Sequence, residues 1–327
     1  MPLAIWRTLR ARGVLGINSR NGRFVLPLNP RKFYPRVDDK LLTKRLAQEA
    51  GIPVPKLLGV VSHFHELRHL PDLLAPHETF VLKPARGSQG NGIVVVIGRD
   101  GDLYRRPNGT TIDIAALRQH VSSTLSGVFS LRGDWDNCLI EELVIVHPEF
   151  ARVVPRGVPD IRVIVCNGLP VMAMCRLPTV ESNGRANLHQ GAMAVGLDMA
   201  TGRAVHGIHR NLSVDRHPDS GILLSHFAVP RWDDVLTLAA QASEIAGLGY
   251  LGVDVVVDAR HGPLLLELNA RPGLAIQLAN DEGLVPRLEL SRTCGAGALP
   301  IAERCALARR LFARNPAWEI REESLPS

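Results

Sequence analysis

The sequence of 327 residues is 46% hydrophobic and 21% charged. A chain of this length and balance can bury a sizeable core, which excludes disordered and collagen-like proteins. It contains no run of about 18 apolar residues, so no membrane span is predicted. Its five cysteines form no C-x-x-C pair, and we expect them to be reduced and the protein to be cytoplasmic.

Positive charge is concentrated in the first part of the sequence. Residues 1–45 contain eleven Arg and Lys residues against Asp38 and Asp39, whereas the whole chain has a net charge of +6. Two interpretations remain: a surface for an anionic partner, or a solvated arginine-rich face. A nucleic acid is not the expected partner, because aromatic residues are not interleaved with these basic residues as in single-strand binders. Only five of the 38 basic residues are lysines, namely Lys32, Lys40, Lys44, Lys56 and Lys83.

The predicted elements mix helices with β-hairpins, which favours an α+β fold over a doubly wound sheet. A helix is predicted over 39–51, because Asp38 or Asp39 can cap it and Gly51 can end it. Its expected apolar stripe consists of Leu42, Leu46, Ala47 and Ala50. Apolar periodicity predicts a second helix over 232–246. The predicted strands are 58–61, 79–83, 93–97, 139–146, 160–166, 171–176, 252–258 and 263–269.

The last two predicted strands carry acidic residues among valines and leucines. A two-residue turn over 260–261 would place Asp254 opposite Glu267, and Asn269 would share their face. A carboxylate in such an apolar run is costly unless it is paired or bound to a metal. Oxygen ligands of this kind select Mg²⁺ or Mn²⁺ over zinc. The alternative is an edge hairpin whose exposed face is simply polar.

A glycine-rich loop follows the predicted strand at 79–83. Three glycines would let backbone N–H groups close over a phosphate, while Lys83 at the strand end adds a positive charge. The loop is neither a Walker loop nor G-x-G-x-x-G, and a flexible hairpin turn is the alternative. Its residues are Gly87, Ser88, Gln89, Gly90, Asn91 and Gly92.

Weaker motifs lie further along the chain. Backbone groups near Glu141 and Glu142 would suit an adenine edge, with an acid nearby for the ribose. Arg162 and Arg176 lie in β-rich runs, and a guanidinium there suits carboxylates and phosphates. Asn187 belongs to a polar run after them. Taken singly, a buried strand is the commoner explanation of the Glu141 motif, and a surface arginine is the commoner explanation of the arginine motifs.

Together and in this order, the motifs resemble the ATP-grasp superfamily of carboxylate–amine ligases, nearest to RimK-type glutamate ligases and glutathione synthetase. The segments that carry the resemblance are Asp39-Lys40, Val81-Leu-Lys83-Pro with the glycine loop, Ile140-Glu-Glu-Leu-Val144, Asp160-Ile-Arg162, Arg185-Ala-Asn-Leu-His-Gln-Gly191 and Glu267-Leu-Asn-Ala-Arg-Pro-Gly273. The resemblance implies an α+β ATP-grasp fold with two α+β subdomains that grip ATP between them. The implied regions are a basic segment, 1–38, as a much reduced pre-grasp region, subdomains 39–143 and 144–314, and a tail, 315–327.

The resemblance also implies nucleotide and metal contacts. Lys40, Lys83 and the glycine loop would hold the ATP phosphates. Glu141, Glu142 and Val144 would frame the adenine. Three oxygen ligands would hold two Mg²⁺ ions, with Mn²⁺ as a substitute: Asp254, Glu267 and Asn269.

Four further residues receive roles in the same way. Arg162 would contact the nucleotide, and Arg176 and Asn187 would meet the γ-phosphate and the acyl substrate. Arg271 matches a position at which many members of the superfamily carry arginine and RimK carries serine. This departure argues against carrying over the RimK substrate. The much reduced pre-grasp region, which in typical members helps to shape the substrate pocket, makes the substrate the least transferable part of the resemblance.

The expected function is an ATP- and Mg²⁺-dependent ligase that forms an amide or peptide bond through an acyl phosphate. It would add glutamate or another amino acid to a peptide or small carboxylate. Two alternatives remain: an ATP-grasp phosphotransferase, and a nucleotide-dependent binding protein that uses its basic N-terminal arm. The sequence shows no Ser/His/Asp or Cys/His arrangement, in agreement with a reaction that needs no nucleophilic side chain. Whether the chain forms an oligomer is left open.

Overall fold

The computed structural model describes residues 2–87, 90–130 and 133–314. Ser88, Gln89 and the expected tail 315–327 lie outside these residues. The chain divides into two compact units. The larger comprises Met1–Asp38, Arg45–Pro53 and Val146–Ser327, and the smaller comprises Asp39–Lys44 and Val54–Ile145. The basic residues 1–38 therefore group with the larger unit.

The elements of the described residues are as follows. The helices are α1 Pro2–Ala11, α2 Ile17–Arg20, α3 Leu26–Leu28, α4 Pro35–Asp38, α5 Lys40–Glu49, α6 Leu70–Leu74, α7 Ile114–Leu125, α8 Pro148–Val153, α9 Trp232–Ala246, α10 Ile276–Asn280, α11 Val285–Thr293 and α12 Ile301–Phe312. The strands are β1 Leu57–Val61, β2 Phe80–Pro84, β3 Val94–Val96, β4 Gly98–Asp100, β5 Leu103–Arg105, β6 Thr111–Ile112, β7 Cys138–Glu141, β8 Asp160–Cys166, β9 Leu169–Leu177, β10 Met193–Leu197, β11 Ala204–His209, β12 Leu212–Val214, β13 Tyr250–Asp258 and β14 Gly262–Asn269.

The larger unit is built on a seven-stranded antiparallel sheet in the order β12-β11-β10-β9-β8-β13-β14. Every residue of β13 is buried, and so is every residue of β9 except Arg176. Helix α9 packs on β8, β13 and β14, and α10 and α11 pack on β9. Gly247 ends α9 with a φ of 66°, the left-handed conformation that glycine adopts at helix ends. The sheet and its helices form an α+β unit, as predicted.

The smaller unit contains a four-stranded antiparallel sheet, β1-β7-β2-β3, and a three-stranded sheet, β4-β5-β6. Its core includes the fully buried side chains of Leu70, Phe80, Leu82 and Leu117. Helix α7 packs on β2 and β7, and the Asp113 carboxylate caps it by accepting a hydrogen bond of 2.7 Å from the Ala116 amide. The packing fixes β2 and β7, the strands that carry the polar cluster described below.

Helix α5 begins and ends where the sequence predicts but buries a different face. The Asp39 carboxylate accepts from the Leu41 and Leu42 amides, and Gly51 has a φ of 68°. The predicted apolar stripe is wrong: Leu42 and Leu46 are half-buried and Ala50 is exposed, and only its member Ala47 is buried. The buried side chains are Leu41, Thr43, Lys44 and Ala47. The buried face differs from the predicted one because Lys44 points into the protein, where its ammonium forms an ion pair.

The hairpin β13–β14 pairs Asp254 with Glu267, as predicted, by a different route. The predicted two-residue turn is wrong, because Asp258 pairs with Gly262 and leaves three residues, 259–261, in the turn. A β-bulge next to Asp254 then gives Leu266 no paired partner and restores the expected register. The two irregularities cancel, so the carboxylates lie opposite each other.

Strand β7 is shorter than the predicted strand 139–146 and ends at Glu141. The Glu142 amide donates to the Lys56 carbonyl at 2.9 Å, and residues 142–145 have no regular structure. Val146 then forms a single bridge with Asp258 of β13. The apolar run therefore spans the end of one unit and the start of the other rather than a single strand.

All five cysteines are free, as the sequence indicates. Four of them are buried and Cys294 is half-buried. Among the described helices, none combines the length and the apolar composition needed to cross a bilayer.

Candidate functional site

The smaller unit holds a buried carboxylate between two lysines. Val81 of β2 pairs with Glu141 of β7, so Lys83, two residues further along β2, lies on the same face as Glu141. The Lys83 Nζ lies 2.6 Å from Glu141 Oε2, and the Lys44 Nζ lies 2.9 Å from Oε1. Lys44 also donates to the Pro55 carbonyl. We call these three side chains, Lys44, Lys83 and Glu141, the lysine–glutamate cluster.

The lysine–glutamate cluster has one positive charge in excess, because two ammonium groups share one carboxylate. Burial raises the pKa of Glu141, but the charges of Lys83 and Lys44 outweigh burial and hold that pKa below its ordinary value. Burial lowers the pKa of Lys44 to about 8, with Glu141 opposing and Lys83 adding to the shift. A buried excess cation is costly without a partner. The cluster therefore suits an anionic ligand such as phosphate.

The glycine loop is tied to α5. The Lys40 Nζ donates to the Gly87 carbonyl at 2.6 Å. Gly90 and Gly92 both have a φ of 74°, in the left-handed region that favours glycine. A Cβ at Gly92 would lie 2.5 Å from the Phe129 ring, whereas a Cβ at Gly90 would meet open space. The loop backbone thus requires glycine at both positions, and at Gly92 for a second, steric reason.

The other predicted nucleotide contacts are placed as follows. Asn91 is exposed between the two left-handed glycines. Glu142 and Val144 are half-buried and lie just after β7, where the chain leaves the sheet. Ser88 and Gln89 belong to the part of the chain that the structure does not describe.

The larger unit carries a second polar cluster, centred on Asp254. Arg162, directly opposite Asp254 across β8 and β13, donates to it from Nε at 2.7 Å and from Nη2 at 2.6 Å. Arg176 Nη2 lies 2.9 Å from Asp254 Oδ2 and also donates to Asp160, its neighbour across β8 and β9. The Asn269 amide donates to Asp254 Oδ2 at 3.0 Å. We call Asp160, Arg162, Arg176, Asp254 and Asn269 the arginine–aspartate cluster.

The two aspartates of this cluster differ in proton affinity. Burial raises the pKa of Asp254, but Arg162 and Arg176 outweigh burial and hold it well below its ordinary value. Burial also raises the pKa of Asp160, and the charge of Asp254 adds to the rise while Arg176 opposes it. The carboxylates in turn raise the pKa of Arg176 despite its burial. Asp254 is therefore the firmly ionised carboxylate of the cluster.

The predicted metal ligands lie close together. Asp254 and Glu267 are paired residues, and the Asn269 amide contacts Asp254. Two carboxylates and an amide oxygen have the donor chemistry that Mg²⁺ prefers, so the residues fit the ion. Asp254 Oδ1 accepts one guanidinium hydrogen bond and keeps a second lone pair for a cation, whereas Oδ2 is already contacted by Arg162, Arg176 and Asn269. The described residues include no group of three or more His, Cys, Asp or Glu side chains that could hold a metal.

Two predicted catalytic residues lie elsewhere in the larger unit. Arg271 is exposed, and its guanidinium lies 5.3 Å from the centre of the Tyr34 ring. Asn187 begins a 3₁₀ turn, where its Oδ1 accepts from the His189 amide at 3.0 Å. In the structure Arg271 therefore stacks on a ring and Asn187 acts as a cap, and neither is part of the arginine–aspartate cluster.

Sequence reasoning missed Lys44 and Asp160 as members of the two clusters. Lys44 follows Leu41 by three residues and precedes Ala47 by three, which places it on the buried face of α5. Asp160 precedes Arg162 by two residues in a strand, so strand alternation already puts both on one face. The spacing was therefore the available signal in both cases.

Comparison with known proteins identifies the family. The family model described as "Sugar-transfer associated ATP-grasp" matches residues 19–293. The chain belongs to this family. Membership confirms the superfamily and the α+β ATP-grasp fold that the order of the motifs predicts.

Named relatives of this ATP-grasp chain are more distant. A probable alpha-L-glutamate ligase of Thioalkalivibrio sulfidiphilus is 25% identical over 252 residues, which cover 76% of this chain and 61% of that protein. Cyanophycin synthetase of Geminocystis herdmanii is 24% identical over 322 residues, covering 85% of this chain and 33% of that protein. The chain thus spans about three fifths or less of the length of these two relatives.

Among solved structures, the D-cycloserine synthetase DcsG is similar, with a TM-score of 0.45 and 16% identity. The match covers 84% of this chain and 73% of that one. Similarity at this level supports no separate conclusion.

Proposed function

We propose that this chain is an ATP- and Mg²⁺-dependent, ADP-forming ligase that joins an amine to a carboxylate. The lysine–glutamate cluster carries the proposal, because it holds a buried excess positive charge at the end of the strand that leads into the glycine loop. Membership of an ATP-grasp family supports ATP as the anion that this charge meets. The glutamate ligase among its relatives supports amide formation as the reaction.

In the proposed reaction the smaller unit binds the nucleotide. Lys83 and Lys40 neutralise phosphate oxygens, and the backbone N–H groups of the loop 87–92 donate to them. Lys44 fixes Glu141, which in turn orients Lys83. The segment that begins with Glu142 and includes Val144 contacts the adenine. When the loop closes it excludes water, which would otherwise hydrolyse an activated carboxylate.

The larger unit supplies the groups for the transferred phosphoryl group. Asp254, Glu267 and Asn269 would hold Mg²⁺, as two ions or with Mn²⁺ as a substitute, and the bound metal compensates phosphate charge. Arg162 fixes the orientation of Asp254 by its two hydrogen bonds. Arg176 places a guanidinium where negative charge on the phosphoryl oxygens is stabilised. Asn187 and Arg271 are assigned to the acyl substrate.

The chemistry balances without a nucleophilic side chain. A carboxylate oxygen of the substrate attacks the γ-phosphorus of ATP, the bond to the bridging oxygen breaks, and ADP leaves. The amine then attacks the acyl carbon of the acyl phosphate, the carbon–oxygen bond breaks, and inorganic phosphate leaves as the nitrogen loses a proton. One oxygen of the original carboxylate ends in the phosphate.

We assign an amino acid as the amine, with glutamate first, because a probable alpha-L-glutamate ligase is among the relatives. The carboxylate belongs to a peptide, a small acid or a sugar acid, the last because the family is described as associated with sugar transfer. The cytoplasm supplies the ATP and keeps the five thiols reduced.

Oxygen tracing tests the proposal. The protein is incubated with ATP, Mg²⁺, amino acids and pools of carboxylates labelled with ¹⁸O, and ADP, amide masses and labelled phosphate are measured. A ligase yields ADP, an amide and phosphate with one ¹⁸O atom in equal amounts. A phosphotransferase yields a phosphorylated product and no labelled phosphate. ATP binding without ADP formation in any pool would contradict both and favour a nucleotide-dependent binding protein.

A further inference from the structure

Helix α1 presents an apolar face that nothing in the described residues covers. Its Ile5, Trp6 and Leu9 side chains are 55%, 69% and 42% exposed. At 3.6 residues per turn these three side chains fall within an arc of about 100°. All residues from 4 to 12 are exposed, so no described side chain of α1 packs into the core.

Arginines surround this apolar face. Arg10 flanks the arc on one side, with Arg7 beyond it. Arg12, directly after the helix, continues its backbone hydrogen bonding to the Thr8 carbonyl at 3.0 Å and flanks the other side. Within the described part of the chain, Arg7, Arg10 and Arg12 form no ion pair. The first acidic residue of the sequence is Asp38, far from the helix along the chain.

Other arginines of the basic segment form ion pairs or hydrogen bonds within the protein. Arg23 pairs with Glu289 at 2.6 Å, and the buried Arg20 donates to the Pro272 carbonyl at 2.8 Å. Arg20 and Arg23 are therefore bound within the protein, unlike Arg7 and Arg10 on α1 and Arg12 directly after it. Arg31 and Arg45 are also exposed, so what distinguishes Arg7, Arg10 and Arg12 is their position beside the exposed apolar face.

An isolated helix of ten residues is only marginally stable in water. A surface that buries its apolar face and meets its arginines would stabilise it. We propose that α1 docks on an anionic membrane surface, with Ile5, Trp6 and Leu9 at the acyl boundary and the arginines at the lipid phosphates. This docking goes beyond the proposed ligase activity and does not depend on it.

Two other occupants fit less well. A nucleic acid would engage the arginines but leave three large apolar side chains in water. A second copy bound through the same face would bring like-charged arginines together with no acidic residue on either helix. An anionic lipid surface satisfies both the apolar face and the charge.

Vesicle flotation with the full chain tests the proposal. Vesicles of phosphatidylcholine with phosphatidylglycerol are compared with vesicles of phosphatidylcholine alone, at low and high salt. We expect binding to the anionic vesicles, a decline with salt, and a blue shift of tryptophan fluorescence that is lost with Trp6→Ser. Absence of binding, or equal binding to both vesicle types, would overturn the proposal.

Matched variants distinguish vesicle binding through the α1 face from nonspecific binding to vesicles. Ile5→Ser/Trp6→Ser/Leu9→Ser should weaken partitioning by about tenfold or more. Arg7→Gln/Arg10→Gln should weaken it by about thirtyfold, since each basic residue near an anionic surface contributes about 1 kcal/mol. Trp135→Ser, at a site 71% exposed in the smaller unit, should bind as the unaltered chain does.

Two further outcomes would also overturn it. One is RNA or DNA binding that survives the triple serine variant while vesicle binding is absent. The other is concentration-dependent dimerisation, measured by light scattering, that the triple variant abolishes. Unchanged circular dichroism spectra and urea denaturation midpoints verify that each variant is folded.

Discussion

Arg162 holds Asp254 through two parallel hydrogen bonds, of 2.7 Å from Nε to Oδ1 and 2.6 Å from Nη2 to Oδ2. Their side chains are only 12% and 5% exposed. A bidentate pair fixes the orientation of a carboxylate as well as its charge. The two bonds thereby fix the orientation of the Asp254 carboxylate.

Breaking this pair should destabilise the larger unit. Arg162→Met leaves a buried carboxylate with fewer cationic partners, and we expect a loss of about 3 kcal/mol in the free energy of unfolding. Arg162→Lys should lose less, because it keeps the charge but not the fork of two donors. Urea denaturation of the full chain measures both.

The matched control is a bidentate pair on the surface. Arg210 holds Glu181 with Nη2 at 2.7 Å from Oε1 and Nε at 3.0 Å from Oε2, and both side chains are exposed. Arg210→Met should leave the unfolding midpoint unchanged because solvent screens the pair. Equal effects of Arg162→Met and Arg210→Met would show that burial does not matter to the Asp254 pair.

Loss of either predicted metal-binding carboxylate should abolish turnover. Asp254→Asn and Glu267→Gln should each lower ATP turnover by roughly 10²-fold or more. They should also weaken Mn²⁺ binding, followed by electron paramagnetic resonance, by about tenfold or more. Asp72→Asn, at a side chain 86% exposed, serves as the control. Unaltered Mn²⁺ affinity in both variants would remove these residues from the metal site.

The sequence predicts four of the seven strands of the larger unit, β8, β9, β13 and β14, because their apolar runs are long and continuous. It misses β10, β11 and β12. It also pairs Asp254 with Glu267 correctly, although it assumes the wrong turn. The three-residue turn and the bulge at Leu266 shift the register in opposite directions. Neither is visible in side-chain alternation, since each is a backbone irregularity that packing decides.

The sequence predicts the secondary structure around the polar residues better than it predicts which residues their side chains contact. The sequence places Lys44 in a basic segment. In the structure its buried ammonium instead forms an ion pair with the carboxylate of Glu141, 97 residues further along the chain. Arg271 occupies a motif position of the superfamily. Its guanidinium nevertheless stacks on the ring of Tyr34, which precedes it by more than 200 residues. Long-range pairings of this kind depend on the tertiary fold, which local patterns do not encode.

Lys83→Arg should lose most ATP turnover although it keeps the charge. The Lys83 side chain is 7% exposed, and its ammonium lies 2.6 Å from Glu141. A planar guanidinium is larger than an ammonium and cannot take the same compact position beside a buried carboxylate. Lys56→Arg, at an exposed lysine of the same unit, is the control. Near-normal turnover of Lys83→Arg in a steady-state assay would contradict the phosphate role.

The lysine–glutamate cluster should make stability depend on pH at both ends of the range. The pKa of Glu141 lies below its ordinary value of 4.5, so its contribution is present above pH 4.5 and lost as pH falls through the lowered pKa. Glu141→Gln should therefore flatten the acid limb of stability against pH. An identical acid limb in this variant would exclude Glu141 as its source.

At the alkaline end Lys44 also makes stability rise with pH, because its pKa is lowered in the folded chain as well. Its pKa of about 8 lies below the ordinary 10.5, so between these values the unfolded chain holds more protons and stability rises with pH. Lys44→Met should abolish this rise. Urea denaturation between pH 8 and 10.5 measures it, and a rise that survives in Lys44→Met must come from another group.

Alanine substitutions in the glycine loop should separate backbone strain from steric clash. Gly90 and Gly92 share a φ of 74°, so alanine costs about 1 kcal/mol of strain at either position. Only at Gly92 does the new Cβ also meet the Phe129 ring, at 2.5 Å. Gly90→Ala should raise the KM for ATP by about fivefold and Gly92→Ala by more than about tenfold.

A control and a rescue variant complete this test. Gly101→Ala carries the same kind of strain, with a φ of 58° and open space around the Cβ, but lies in the β4–β5 turn outside the loop. It should leave the KM for ATP unchanged. Phe129→Ala should restore only part of the Gly92→Ala loss, because the Phe129 Cβ itself would lie 2.9 Å from the new methyl group. A full restoration would mean that strain at Gly92 contributes nothing, and equal KM values for the two loop variants would mean that the Phe129 contact does not shape the loop.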